Sequence, residues 1–88
     1  MDPVEIPIEG QLDLHSFEPS EVASVVAEYV HAAARSGFRI VRIVHGRGRG
    51  VQRGIVQATL EGHPKVEEFW DDTGAYLGAT IARLKLEL

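Results

Sequence analysis

Ile43-Val44-His45-Gly46-Arg47-Gly48-Arg49-Gly50-Val51 is the stretch that decides how this chain folds. An apolar run ends in a histidine, three glycines alternate with arginines, and a second amphipathic run begins directly behind them. That order is the order of a strand, a tight turn and a helix. Glycine lets backbone N–H groups approach an anion without a Cβ in the way, a helix N-terminus carries partial positive charge, and arginine adds full charge. The segment therefore reads as a phosphate seat. Gly46, Gly48 and Gly50 would lend backbone donors, while Arg47, Arg49 and Arg53 would neutralise the phosphate and its neighbours. The bland reading is a flexible turn whose arginines serve solubility. Nucleotide-cofactor readings fail: no Lys-Ser or Lys-Thr pair follows, and positions 46, 48 and 51 hold Gly, Gly and Val, which breaks the dinucleotide fingerprint.

Upstream of the seat, Gln11 to His15 reads as a strand with Leu12 and Leu14 facing the core. Asp13 and His15 then share the other face, with Cα atoms about 6.5 Å apart. Glu18-Pro19-Ser20-Glu21 opens a helix, with proline at the first helical position and acids where the dipole favours them. Val22, Val25, Val26, Tyr29, Val30 and Ala33 form one apolar stripe, and Gly37 stops the helix. Phe38 to Val44 is the apolar, β-branched pattern of a central strand. Downstream, a helix from Val51 to Glu61 is expected to bury Val51, Ile55 and Leu60. Val66 to Trp70 reads as a strand, Asp71 to Gly78 as a loop and Ala79 to Leu86 as a last strand. Phe69 and Trp70 point to opposite faces, with Trp70 covering the sheet edge.

The order is β-α-β-α-β-β, in which the first crossover makes strands one and two parallel neighbours. Their carboxyl ends carry His15 and His45 and open on the side where such sheets place ligands. The expected fold class is an α/β two-layer sandwich on a mixed sheet. Residues 1–10 are expected to form an extended N-terminal arm, since Pro3 and Pro7 cannot donate to a ladder, and residues 11–88 a single domain.

Composition narrows the function classes. The chain has 88 residues, enough for one modest core, and no cysteine, which excludes disulfides, thiolate zinc sites and a cysteine nucleophile. No apolar run reaches the roughly 18 residues that span a bilayer, and residues 1–10 lack the basic and apolar regions of a secretory signal, so a cytoplasmic location is the default expectation. The net charge is −4, yet residues 35–53 hold six of the nine basic side chains and no acid. Such polarisation suits docking a polyanion on one side of the molecule.

LDLHS near the start, a helix, an apolar strand ending in HGRGRG, a second helix and a late Gly78-Ala79-Thr80 entry to the last strand together resemble the Smr (small MutS-related) domain family. The resemblance runs from about residue 10 to residue 86. It implies an α/β sandwich and, in many members, nuclease activity: nicking of DNA, or cleavage of RNA in some branches. Asp13 and His15 match the acid and histidine of the family's first motif, and His45, Gly46 and Gly48 match its second; Ser16 stands where the first motif has glycine. Members differ in their need for a divalent metal. No metal is assigned here, because the residues offer no clear ligand set.

The expected activity is endonucleolytic cleavage of DNA or RNA with little base specificity. Asp13, His15 and His45 are the candidate catalytic residues: Asp13 orients His15 or activates water, and the two imidazoles divide acid and base work. For His45 a second role stays open, a hydrogen bond to a carbonyl that fixes the turn. His31 reads as a surface residue and His63 as part of a loop. The alternative to an enzyme is a module that holds DNA or RNA backbone without chemistry.

Overall fold

The computed structural model describes residues 10–48, 50–75 and 78–86. Residues 1–9 of the expected arm, and Arg49 of the expected seat, lie outside them. The elements are β1 (Gln11–Asp13), α1 (Pro19–Arg35), β2 (Ile40–Val44), α2 (Val51–Glu61), β3 (Val66–Asp71) and β4 (Ala79–Leu84), with a 3₁₀ turn at Thr73–Ala75. The sheet order is β1-β2-β4-β3. β1 runs parallel to β2, and β4 is antiparallel to both β2 and β3, so the sheet is mixed.

Local chemistry sets the ends of α1. Pro19 takes the first turn, where its missing N–H costs nothing, and the Glu21 carboxylate accepts the backbone N–H of Glu18 at 2.9 Å. At the other end Phe38 N–H donates to Ala33 O and Gly37 N–H to Ala34 O. This is the paired-bond stop that needs a left-handed residue, here Gly37 at φ +91°.

The core joins Val22, Val26, Tyr29, Val30 and Ala33 of α1 to Val56 and Leu60 of α2, over Val41 and Ile43 of β2 and Ala82 and Leu84 of β4. Each fully buried valine or leucine contributes about 1.5–3 kcal/mol by leaving water. Val51 is not part of this core, contrary to expectation: it is 57% exposed and Val56 is buried instead. The inward stripe of α2 is Val56 and Leu60, flanked by the half-buried Ile55, and Val51 in the first turn extends past it. Phe69 packs against the core, while Trp70, on the opposite sheet face, lies under the Arg83 guanidinium at 5.8 Å.

Candidate functional site

Register places the site. Asp13 sits opposite Val44 in the parallel pair, and Leu14 N–H donates to Val44 O at 2.9 Å. The chain turns at once, with Phe17 N–H on Leu14 O, so β1 is shorter than expected and His15 stands on the turn behind it. The carboxyl ends of β1 and β2 thus emerge side by side. Gln52, in the first turn of α2, reaches back to Phe17 O at 3.4 Å and ties the two loops together.

Asp13 and His15 form an exposed pair. One carboxylate oxygen of Asp13 accepts both the backbone N–H of His15 and its ring Nδ1–H, each at 3.0 Å. These two bonds hold the Asp13 carboxyl below its ordinary range, the backbone donor contributing most. A carboxylate can only accept, so a proton sits on Nδ1, and in the neutral ring Nε2 is left bare. The His15 side chain is 82% exposed, so that nitrogen is open to an incoming molecule.

Beside this pair lies a cavity of about 150 Å³ lined by His45, Gly46, Gly48, Gly50, Val51, Gln52 and Arg53. Gly46 and Gly50 both adopt φ +81°, a left-handed backbone that glycine takes without strain. Gly50 is the N-cap of α2 and offers no side chain, so the free amides of the first turn face outward uncapped. Gly46 is a different case. Its N–H, like that of His45, donates to Gly78 O, which removes it from the donors expected to meet a phosphate.

The arginines also divide. Arg53 lines the cavity but grips Asp71 with two bonds, Nε to Oδ1 at 2.8 Å and Nη2 to Oδ2 at 2.7 Å. That grip lowers the Asp71 carboxyl and raises the guanidinium. Arg42 binds Asp72 at 2.6 Å, lowering that carboxyl, and Arg39 lies 3.5 Å from Glu67. Three of the six basic residues in 35–53 are therefore met by acids from β3 and the residue behind it, which sequence order does not bring near. Among the described residues, Arg47 on the turn is exposed and pairs with no acid.

His45 is 7% exposed, and both ring nitrogens are engaged. Nδ1 lies 2.9 Å from Gly46 O, and Nε2 lies 2.9 Å from the hydroxyl of Thr80, itself fully buried. Gln57 Nε2 donates to that hydroxyl at 3.1 Å and to Asp71 Oδ1 at 2.9 Å. Sequence alone does not assign Thr80, Gln57 or Asp71 to the site; the Gly-Ala-Thr run that ends in Thr80, and the place of Gln57 one turn after Arg53 on α2, are the signals that point to them. His31 is exposed, and His63 ties its loop to α1 through Ala27 O at 3.1 Å, away from this edge. Among the described residues no group of three or more His, Asp or Glu is placed to hold a metal ion. No helix there is long and apolar enough to cross a membrane.

A small mixed-sheet α/β domain that sets an Asp-His strand end beside a glycine turn and a bare helix N-terminus is the class this fold and site define. The Smr domain family model matches residues 12–85, and the chain belongs to that family. It is 32% identical over 82 residues to Endonuclease MutS2 of Thermomicrobium roseum, covering 90% of this chain and 10% of that protein. Against Endonuclease MutS2 of Clostridium botulinum (strain Loch Maree) identity is 37% over 82 residues, with 89% and 10% covered. The chain spans about a tenth of the length of these curated relatives. The crystal structure of the Smr domain of Thermus thermophilus MutS2 superposes with TM-score 0.79 at 27% identity, over 85% of this chain and 96% of that one. YdaL, a stand-alone small MutS-related protein from Escherichia coli, shares the fold with TM-score 0.79 at 23% identity, over 93% and 69% of the two chains.

Proposed function

We propose that this domain is a nucleic-acid endonuclease that nicks the phosphodiester backbone of DNA, or cleaves RNA, with little regard to base. The observation that carries the reading is the parallel β1–β2 pairing, which sets the exposed Asp13–His15 pair beside the cavity at the N-terminus of α2. The relatives named Endonuclease MutS2 support it.

In this reading the amides of Gly48, Gly50 and the first turn of α2, with Arg47 and Arg49, take the phosphate. The same groups stabilise the negative charge that grows on its oxygens as the nucleophile adds. His15 Nε2 accepts the proton of the attacking water or hydroxyl, and Asp13 stabilises the imidazolium that results. The leaving oxygen takes its proton from solvent. Arg53 reaches the same cavity but is held by Asp71, so it shapes the seat more than it neutralises a ligand. His45, with both nitrogens engaged, contributes through the turn it holds.

The test is conversion of supercoiled plasmid to nicked circle, and cleavage of a structured RNA, by the unmodified protein and by His15→Ala, with and without EDTA. Cleavage that falls about 10²- to 10⁴-fold in the variant supports the reading. Salt-sensitive binding of both substrates with no cleavage of either identifies the non-catalytic module instead.

A further inference from the structure

The bonds around His45 run in one direction, and the direction is fixed at both ends. Gly46 O can only accept, so His45 carries a proton on Nδ1, and the neutral ring leaves Nε2 bare. A bare Nε2 must be met by a donor, so the Thr80 hydroxyl gives it its hydrogen and has only lone pairs left for Gln57. Gln57 supplies both amide hydrogens, one to Thr80 and one to Asp71, whose carboxylate accepts from Arg53 as well. No buried side-chain nitrogen or oxygen among the described residues lacks a partner. Asp71, which can only accept, orients the Gln57 amide so that Thr80 accepts from it and keeps its own hydrogen for Nε2, which favours the Nδ1–H tautomer.

That tautomer orients a peptide plane. With its carbonyl turned onto the imidazole, the Gly46–Arg47 peptide must point its N–H, that of Arg47, to the opposite side, because a trans peptide holds the two antiparallel. Gly46, at φ +81° and without a side chain, is a position where the backbone has the freedom to turn this plane over. Turned over, it would put a carbonyl oxygen in place of the Arg47 N–H on the face away from the imidazole, in the turn that lines the cavity.

We propose that Thr80, Gln57 and Asp71 are positioning residues, a relay that holds His45 as the Nδ1–H tautomer and so keeps the Gly46 carbonyl out of the phosphate seat. The inference rests on the phosphate-seat reading for its consequence, but not for the tautomer itself.

Both parts can be read on one set of samples. The ring nitrogens of His45 are followed by ¹⁵N NMR, and binding of a short single-stranded DNA oligonucleotide is titrated at low salt, for the unmodified protein and for Thr80→Val, Thr80→Ser and Gln57→Met. The unmodified protein should show Nδ1 protonated and Nε2 bare. Thr80→Val should populate the other tautomer and weaken binding about tenfold or more, the scale of one hydrogen bond to a charged group. Thr80→Ser, which keeps the hydroxyl, should restore both. Gln57→Met leaves β4 untouched and should move both readouts in the same sense as Thr80→Val, so the relay is tested even where Thr80→Val does not fold. Ring signals that stay as in the unmodified protein in Gln57→Met overturn the relay, as does a tautomer change with binding intact. An unmodified protein that binds no oligonucleotide overturns the seat, and the relay's role in it, while its ring signals still show whether the tautomer is held.

Discussion

Leu14 hands its backbone N–H to Val44 O at 2.9 Å, one residue beyond Asp13 on one strand and one residue before His45 on the next. That bond pins the departure points of two loops, so the sheet holds the Asp13–His15 pair and the glycine turn side by side. Rigid support of this kind is what a site needs when a nucleophile and a phosphate must meet within a few ångströms.

The Asp13–His15 pair should be separable from folding. Its side chains are 50% and 82% exposed, so His15→Ala is expected to leave the thermal midpoint within a degree or two while removing cleavage. Asp13→Asn keeps the shape but no longer fixes the proton on Nδ1, and should lower kcat with little change in KM. A matching rise in KM alone would assign the pair to binding.

Arg47 is the described cation of the glycine turn that meets no acid, so Arg47→Ala should weaken oligonucleotide binding across all sequences. The slope of log K against log salt should fall in magnitude by about 1, the signature of one lost phosphate contact. Arg53→Ala should behave differently. It strips Asp71 of its charged partner, leaving only the Gln57 amide among the described residues, and should destabilise the fold more than it changes the salt slope.

Two glycines of one helix should respond with opposite sign. Gly50 at φ +81° has open space around it, so Gly50→Ala meets no clash but must hold a left-handed backbone, at about 1–2 kcal/mol. Gly54 lies inside α2, also in open space, and Gly54→Ala should stabilise by about 0.5–1 kcal/mol. Urea melts of the two variants check both signs together.

Acid should weaken the fold through the lowered carboxyls. Asp71 and Asp72 lie below their ordinary value of 3.8 because Arg53 and Arg42 bind their charged forms. A lowered folded-state value means the contribution is complete well above 3.8 and is lost as pH falls through it and below. The stability gap between the unmodified protein and Asp71→Asn should therefore be constant from pH 7 to about 5 and close as pH drops below about 4. The effect should be modest, since both side chains of the Arg53–Asp71 pair are about a third exposed to solvent. A gap that persists unchanged at pH 3 would show that the ion pair does not set it.

What the sequence shows here is what is local. The proline at position 19, the acid at 21 and the glycine at 37 fix α1 because each acts within a turn of its own position. The β2–turn–α2 passage was legible for the same reason, and so was the shared edge of β1 and β2, since a short crossover leaves few topologies. The sequence misplaces Val51 because a period of 3.6 leaves the rotation of a short helix open at its ends, and packing against α1 and the sheet selects Val56. The arginines were overcounted because Arg53, Arg42 and Arg39 meet partners 18 to 30 residues away in sequence. Thr80 and Gln57 were invisible as site residues for that reason too: each has meaning only once β4 and α2 stand over His45.

The central claim is that one bound phosphate touches both the amides ahead of α2 and the imidazole of His15. A single NMR titration with a short oligonucleotide, following the amides of Gly48, Gly50 and Val51 together with the His15 ring, tests it directly. All four signals should move along one binding curve with one midpoint, and Arg47→Ala should shift that midpoint for all of them. Amide signals that saturate while the His15 ring stays unmoved would contradict it.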